Sequence, residues 1–203
     1  MPSARRPLVD EFAATLAGWE WDVALLQEVP PWWPVPLGRT CRASARMALT
    51  SRNAGFALRR AVAHRRPDLL AAHGGGSNAI LVRVGPILEH RVRVLARRPE
   101  RRVMHGVRLA GAWIVNLHAS THPPARRVAD LQIAASTALD WAAGAPLVFG
   151  GDLNATRPAF PGLEHVAGHH VDHVFTNGRK AAPAELLDAG RLSDHRPLRV
   201  TLL

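Results

Sequence analysis

The stretch FGGDLNA (149–155) sets Asp152 and Asn154 two residues apart at the end of the apolar run PLVF (146–149). Side chains alternate between the faces of a strand, so, if strand geometry persists, an acid and an amide point at one spot. Alone, the pair describes an Asx-turn as well as it describes half of an active site. Other strand ends finish in the same polar way: Gln27-Glu28 after VALL, Asn116 to His118 in IVNLHAS, and Asp172-His173 in VDHVF. LSDHRPL (192–198) adds Asp194 and His195 ahead of a last apolar run. Of 16 acidic residues, Glu28, Asp152, Asp172 and Asp194 stand at these mouths. Carboxylates brought together repel, and shared protons, raised pKa values or a bound cation resolve the repulsion. Hard oxygen ligands without thiolates favour Mg²⁺ or Mn²⁺.

The elements that must position these groups are legible in outline. PLVDEFAATLAG (7–18) has helical spacing at Leu8, Phe12 and Leu16, with Pro7 in the first turn and Gly18 as a stop. VALLQEV (23–29) is a buried strand, and PPWWPVP (30–36) is expected as a loop because of its prolines. Residues 52–63 have helical periodicity. Alternation and β-branched content predict strands at 78–85, 90–97, 102–110 and 112–118, the last two joined as a hairpin at RLAGAW (108–113). The clearest helix is 125–142, with Val128, Leu131, Ile133, Ala135 and Leu139 on one broad apolar face. Strands at 146–152, 170–177, 184–190 and 196–203 complete an α/β chain of packed mixed sheets covered by helices.

The chain of 203 residues is read as one domain, 1–203, large enough for a core without staples. Its single cysteine, Cys41, excludes a disulfide framework or a cysteine-rich zinc cluster and suits a reducing cytoplasm. No apolar run reaches the roughly 20 residues that span a bilayer, and the amino end shows no signal-peptide core. The net charge of +10 invites a phosphate-bearing partner such as nucleic acid. Lys180 is the only lysine among 26 basic residues, a bias that makes part of the arginine surface filler. The densest patch, Arg91 to Arg108, holds no aromatic residue and so no platform for stacking bases.

Taken in order, QE (27–28), NLH (116–118), GGDLN (150–154), VDHVF (171–175) and SDHRPL (193–198) resemble the endonuclease/exonuclease/phosphatase superfamily. The GDxN and SDHxPL elements are the specific ones. The resemblance implies a four-layer α/β/β/α sandwich and a Mg²⁺- or Mn²⁺-dependent phosphoesterase, a phosphodiesterase acting on nucleic acid or another phosphodiester. It implies that Glu28 holds the metal with Asp194 nearby, and that Asp152 orients or deprotonates water. Asn154 contacts the phosphate, and His195 binds a phosphoryl oxygen with Asp172 orienting its ring. His118 stabilises the transition state or protonates the leaving group. Asp152 and His195 both stand as the general base. Loops 30–50, 119–127 and 155–169 are where selectivity is expected, and a monomer is the expected form.

The chain departs from the family pattern in one place. Family members begin with a strand carrying an Asn, whereas here MPSARRPLVDEF passes directly into the first helix. Loss of that strand predicts two exposed strand edges and one missing polar ligand, and favours a start upstream of Met1. A second reading follows from it: a non-catalytic relative that binds nucleic acid or anionic lipid head groups. Rival sites fare worse. His165, His169 and His173 have zinc spacing only on a helix, which Gly168 and the strand pattern oppose. Ser77 lacks the second glycine of a nucleophile elbow, and no phosphate-loop or dinucleotide fingerprint is present. Trp32 and Trp33 are placed at substrate or membrane, and Trp19, Trp21, Trp113 and Trp141 in packing.

Overall fold

The structure, a computed structural model, describes residues 8–50, 76–98 and 100–203. In chain order its elements are α1 (Leu8–Gly18), β1 (Val23–Val29), α2 (Pro34–Thr40), β2 (Ser44–Leu49), β3 (Ser77–Val82), β4 (Glu89–Ala96), β5 (Arg102–Arg108), β6 (Trp113–His118), α3 (Pro124–Ala142), β7 (Leu147–Asp152), β8 (Glu164–His169), β9 (Asp172–Thr176), β10 (Glu185–Leu186) and β11 (Leu198–Arg199). The helix expected over 52–63 lies outside the described residues.

Three apolar clusters mark three interfaces, and together they define four layers. Ala13, Leu16, Leu37 and Leu81 join α1 and α2 to a three-stranded antiparallel sheet of order β1-β3-β2. Ile80, Val82, Val107 and Ile114 pack that sheet on a six-stranded sheet of order β4-β5-β6-β7-β9-β8. Leu117, Phe149 and Phe175 pack the large sheet under α3. The predicted α/β/β/α sandwich is therefore present. The hairpin at 108–113 is too, as the antiparallel β5–β6 pair.

Several local expectations need correction. Residues 30–36 are not all loop: α2 begins at Pro34, because prolines in a first helical turn lose no intrahelical hydrogen bond. Two strands, β2 and β8, fall within segments expected as loops. Their sequences, SARMAL and EHVAGH, lack the β-branched runs that signal strand. The buried face of α3 is made of small residues, Ala134, Ala135, Ala138 and Ala142 with Leu131, whereas Val128 and Ile133 are exposed. Asp130 is buried there because it accepts from Ser120 Oγ at 2.6 Å. The strands expected over 184–190 and 196–203 shrink to two-residue ladders, Glu185↔Arg199 and Leu186↔Leu198. Among the described residues, the C-terminal segment pairs with β10 rather than with either main sheet, and β1 pairs only with β3.

Of the tryptophans, Trp113 is buried and Trp141 lies 5.9 Å from it, centroid to centroid. Trp33 packs against Phe12 of α1. Arg83 holds the turn between α1 and β1, donating to Cys41 O at 3.0 Å and Trp19 O at 2.9 Å while stacking on Trp21.

Candidate active site

Register brings the candidate residues together. His118 is the Cα partner of Asp152 across the parallel pair β6–β7. Asp152 is in turn the partner of Asp172 across the antiparallel pair β7–β9. Residues opposite one another in a ladder share a face, so one rung carries an imidazole and two carboxylates into the gap between the sheets.

The two glycines before Asp152 permit this rung. Gly151 has φ of +128°, and a Cβ on it would overlap the Leu117 carbonyl oxygen. A Cβ on Gly150 would sit 2.7 Å from His173 O. Only residues without side chains let β7 run this close to β6 and β9. Strand geometry then ends. Asn154 has φ of +50°, and its N–H donates to Asp152 Oδ1 at 2.9 Å, which is the Asx-turn. Asn154 Nδ2 donates to Ala119 O at 3.0 Å. The turn and the cleft position therefore coexist.

From the second sheet, Glu28 enters at a register shift between Leu26 and Val29, with φ of +54°. Such a bulge re-aims a side chain next to a site, and the left-handed conformation is costly for a residue with a side chain. Glu28 Oε1 lies 3.8 Å from His118 Nδ1, and Asp152 Oδ2 lies 3.5 Å from His118 Nε2. His195, in the loop before β11, holds Asp172 Oδ2 through Nδ1 at 2.8 Å. Ligand atoms of Asp152, Asp172 and His195 fall within 4.8 Å of one another. Glu28 and Asp194 are not in that group; Asp194 is exposed on the loop beside His195.

The protonation states are pushed apart. Burial, followed by the charges of Arg102 and His195, lowers His118 to about 3, so this imidazole is neutral. Burial raises Asp152 above the usual carboxylate range, against the hydrogen bond from Asn154; Asp172 adds to the rise. For His195, burial pulls downward, but the charge and hydrogen bond of Asp172, with Asp152 and Asp194, win and raise it. A histidine held neutral, a carboxyl with a raised pKa and a histidine with a raised pKa thus line one cleft of about 1840 Å³.

Two contributions go beyond the motif reading, which names Asn116 only as part of a polar strand end and Arg102 only within the arginine run. Asn116 bridges the sheets, accepting from Gln27 Nε2 at 2.8 Å and donating to Leu26 O at 3.0 Å and Ala79 O at 2.9 Å. It fixes the β1 exit over the rung. Arg102 is buried, bonded to Glu100 at 2.6 Å, and its charge reaches both His118 and Asp152. The only sequence signal for it was membership of the arginine run. His165 and His173 do meet, at 3.0 Å, but across the β8–β9 hairpin rather than on a helix.

Layers and cleft together define the class, a four-layer α/β/β/α sandwich with an acid–imidazole site at its strand ends. The chain belongs to the Endonuclease/Exonuclease/phosphatase family, whose model matches residues 2–195. Solved structures share the fold at low identity. A conserved Enterococcus faecalis protein of unknown function superposes with a TM-score of 0.73 at 14% identity, over 97% of this chain and 90% of that one. A Bacteroides thetaiotaomicron mannosyl-6-phosphatase gives 0.70 at 15%, over 96% and 90%. The human nocturnin catalytic domain with bound sulfate gives 0.66 at 14%, over 97% and 86%. No curated protein matches the sequence significantly.

Proposed function

We propose that the chain is a divalent-metal-dependent phosphoester hydrolase, and a phosphodiesterase rather than a monoesterase. The observation that carries this reading is the rung His118–Asp152–Asp172 with His195 bonded to Asp172 at 2.8 Å. Hydrolysis of a phosphodiester needs a water stripped of its proton, neutralised non-bridging oxygens and help for the departing alkoxide. Asp152 is the base of this scheme: its Oδ1 is occupied by the Asn154 N–H, which leaves Oδ2 to take the proton. His195, held cationic by Asp172, binds a non-bridging oxygen, and the second N–H of the Asn154 amide binds another. His118 is neutral, so it donates a hydrogen bond to the leaving oxygen rather than a ready proton.

The donor set fits a hard cation. Glu28 and Asp152 bring carboxylates to either side of His118, with Asp172 and Asp194 nearby and no thiolate in reach. Glu28 would hold Mg²⁺ or Mn²⁺, with Asp194 next to it; the bound ion would supply charge neutralisation on the phosphate. The family membership supports the phosphoester class. The mannosyl-6-phosphatase favours a monoester and the sulfate of nocturnin an oxyanion site, each as a property of that protein. The net charge of +10 favours nucleic acid as the substrate.

The test is hydrolysis of bis(p-nitrophenyl) phosphate, p-nitrophenyl phosphate and a short single-stranded DNA, with Mg²⁺, with Mn²⁺ and with EDTA. The reading expects metal-dependent turnover, faster on the diesters. Turnover that survives EDTA contradicts the metal, and faster monoester cleavage contradicts the diesterase. Salt-sensitive binding of DNA or anionic vesicles without turnover supports the non-catalytic alternative instead.

A further inference from the structure

The histidines of HVAGHHVDH (165–173) take no direct part in the proposed chemistry, yet two of them form a built arrangement. His173 is buried, on the face of β9 opposite Asp172, and its Nε2 lies 2.8 Å from Ala155 O. A carbonyl oxygen only accepts, so Nε2 carries a proton and donates it. In the neutral ring Nδ1 is then the acceptor, and it takes the N–H of His165 Nε2 at 3.0 Å. Gly168, the Cα partner of His173 across the hairpin, leaves room for this meeting. A Cβ there would overlap His173 Nδ1 and sit 2.8 Å from His165 Nε2. The glycine that opposes a zinc-binding helix is thus the residue that lets the two rings pair. Among the described residues no third metal-ligating side chain joins them.

What the pair holds is the segment that carries Asn154. Asn154 has a positive φ, and a residue with a side chain keeps that conformation where its surroundings over-determine it. Here the two neighbours of Asp172 do so from either side. Val171 O accepts from Leu153 N–H at 2.9 Å, ahead of Asn154, and His173 Nε2 donates to Ala155 O behind it. The first tie is backbone to backbone and asks nothing of the sequence; the second needs a side-chain donor of this length. Among the described residues no other hydrogen bond holds 155–159, and the next anchor is the Phe160 ring against Phe149 and Phe175. Asn154 N–H in turn occupies Asp152 Oδ1 at 2.9 Å. The tie at Ala155 therefore bears on which oxygen of Asp152 is left free.

We propose that His173 is a positioning residue for the hydrolysis: it clamps Ala155 from behind the sheet and so fixes Asn154 and the free oxygen of Asp152. Its part in turnover rests on the proposed function, whereas the clamp itself is a property of the fold. His165 holds the His173 ring in the orientation that aims Nε2 at the carbonyl. Strand alternation divides the labour, with Asp172 facing His195 and the site while His173 supports the turn from the other face of β9.

Side-chain length supplies the test. The amide nitrogen of glutamine reaches as far as imidazole Nε2, and that of asparagine only as far as Nδ1. His173→Gln, His173→Asn and His173→Ala are compared with the parent by Asn154 amide hydrogen exchange, by kcat and KM on bis(p-nitrophenyl) phosphate with Mg²⁺, and by urea midpoint. In His173→Asn and His173→Ala, Asn154 exchange is expected to be faster by on the order of 10-fold. In the same two variants kcat is expected to fall by roughly 10-fold with KM little changed. His173→Gln should recover most of both. A residue that only stabilises the fold would lower the urea midpoint and leave the kcat of folded protein unchanged, and that pattern overturns the proposal. Asn154 exchange unchanged in His173→Ala also overturns it, as does a His173→Gln variant no better than His173→Asn. A parent without turnover contradicts the proposed function instead, and Asn154 exchange then decides the clamp by itself.

Discussion

The site is assembled from two unlike halves. On the large sheet, His118, Asp152 and Asp172 sit in one rung of central strands, fixed by register and by glycines that admit no alternative approach. On the other side, Glu28 stands on a sheet edge, and Asp194 and His195 on a loop ahead of a two-residue strand. Burial follows the same division: the His118 side chain is 8% exposed and that of Glu28 62%. The first half is preorganised by the fold, and the second depends on contacts at open edges. Under the proposed function, the groups assigned to proton transfer sit in buried sheet, and those assigned to the metal sit where they can adjust.

Breaking the rigid half has the largest expected effect. Gly151→Ala places a methyl group on the Leu117 carbonyl at a φ that disfavours side chains. A loss of about 3–5 kcal/mol is expected, read from the urea midpoint. An Ala variant as stable as the parent contradicts the packing account.

His195→Ala lies on the seam between the halves, and a roughly 10²-fold fall in kcat is expected. The pH profile is bell-shaped by sign. Asp152 must be ionised, so activity is lost as pH falls through its raised pKa. His195 must be cationic, so activity is lost as pH rises through a pKa above its usual 6.5. His195→Gln should remove the alkaline limb and keep the acid one; an unchanged alkaline limb assigns it elsewhere.

Glu28→Gln probes the adjustable half. The expected outcome is a roughly 10-fold higher Mg²⁺ requirement with kcat largely recovered at saturating metal, the mark of a lost ligand rather than a lost base. A fall in kcat that excess metal does not restore moves Glu28 into the chemistry.

A further effect is on the pH dependence of stability. His105 and His118 are both held to about 3, His105 by burial and then the charge of His90. Because their folded pKa values are depressed, the stability they confer is complete above the unfolded value of about 6.5. It falls by about 1.4 kcal/mol per pH unit for each as pH drops toward 3. Urea midpoints between pH 7 and 5 check this, and His105→Asn should flatten the slope.

How far the sequence foretold the molecule divides along the same line. Motif order located every residue of the rung, because strand-end polarity is a local signal that register only has to align. The long elements β1, β6, β7 and α3 followed from periodicity. Strand β2 was not legible in SARMAL, since pairing with β3 stabilises it rather than intrinsic preference. The face of α3 was misread because alanine packs more closely on the sheet than Val128 or Ile133. Arg102 carried no signal of its burial, which depends on Glu100 and on the strand ends around it. The Asn116 bridge is invisible without two sheets to join.

The central claim is that Asp152 removes the proton from water within a rigid rung. The measurement is single-turnover cleavage of a phosphodiester by the parent and Asp152→Asn at saturating Mg²⁺, with urea midpoints confirming that both fold. A rate lower by roughly 10²–10⁴-fold in the variant, with substrate affinity retained, is the predicted result. A variant within a few-fold of the parent would contradict the assignment and leave His195 as the base.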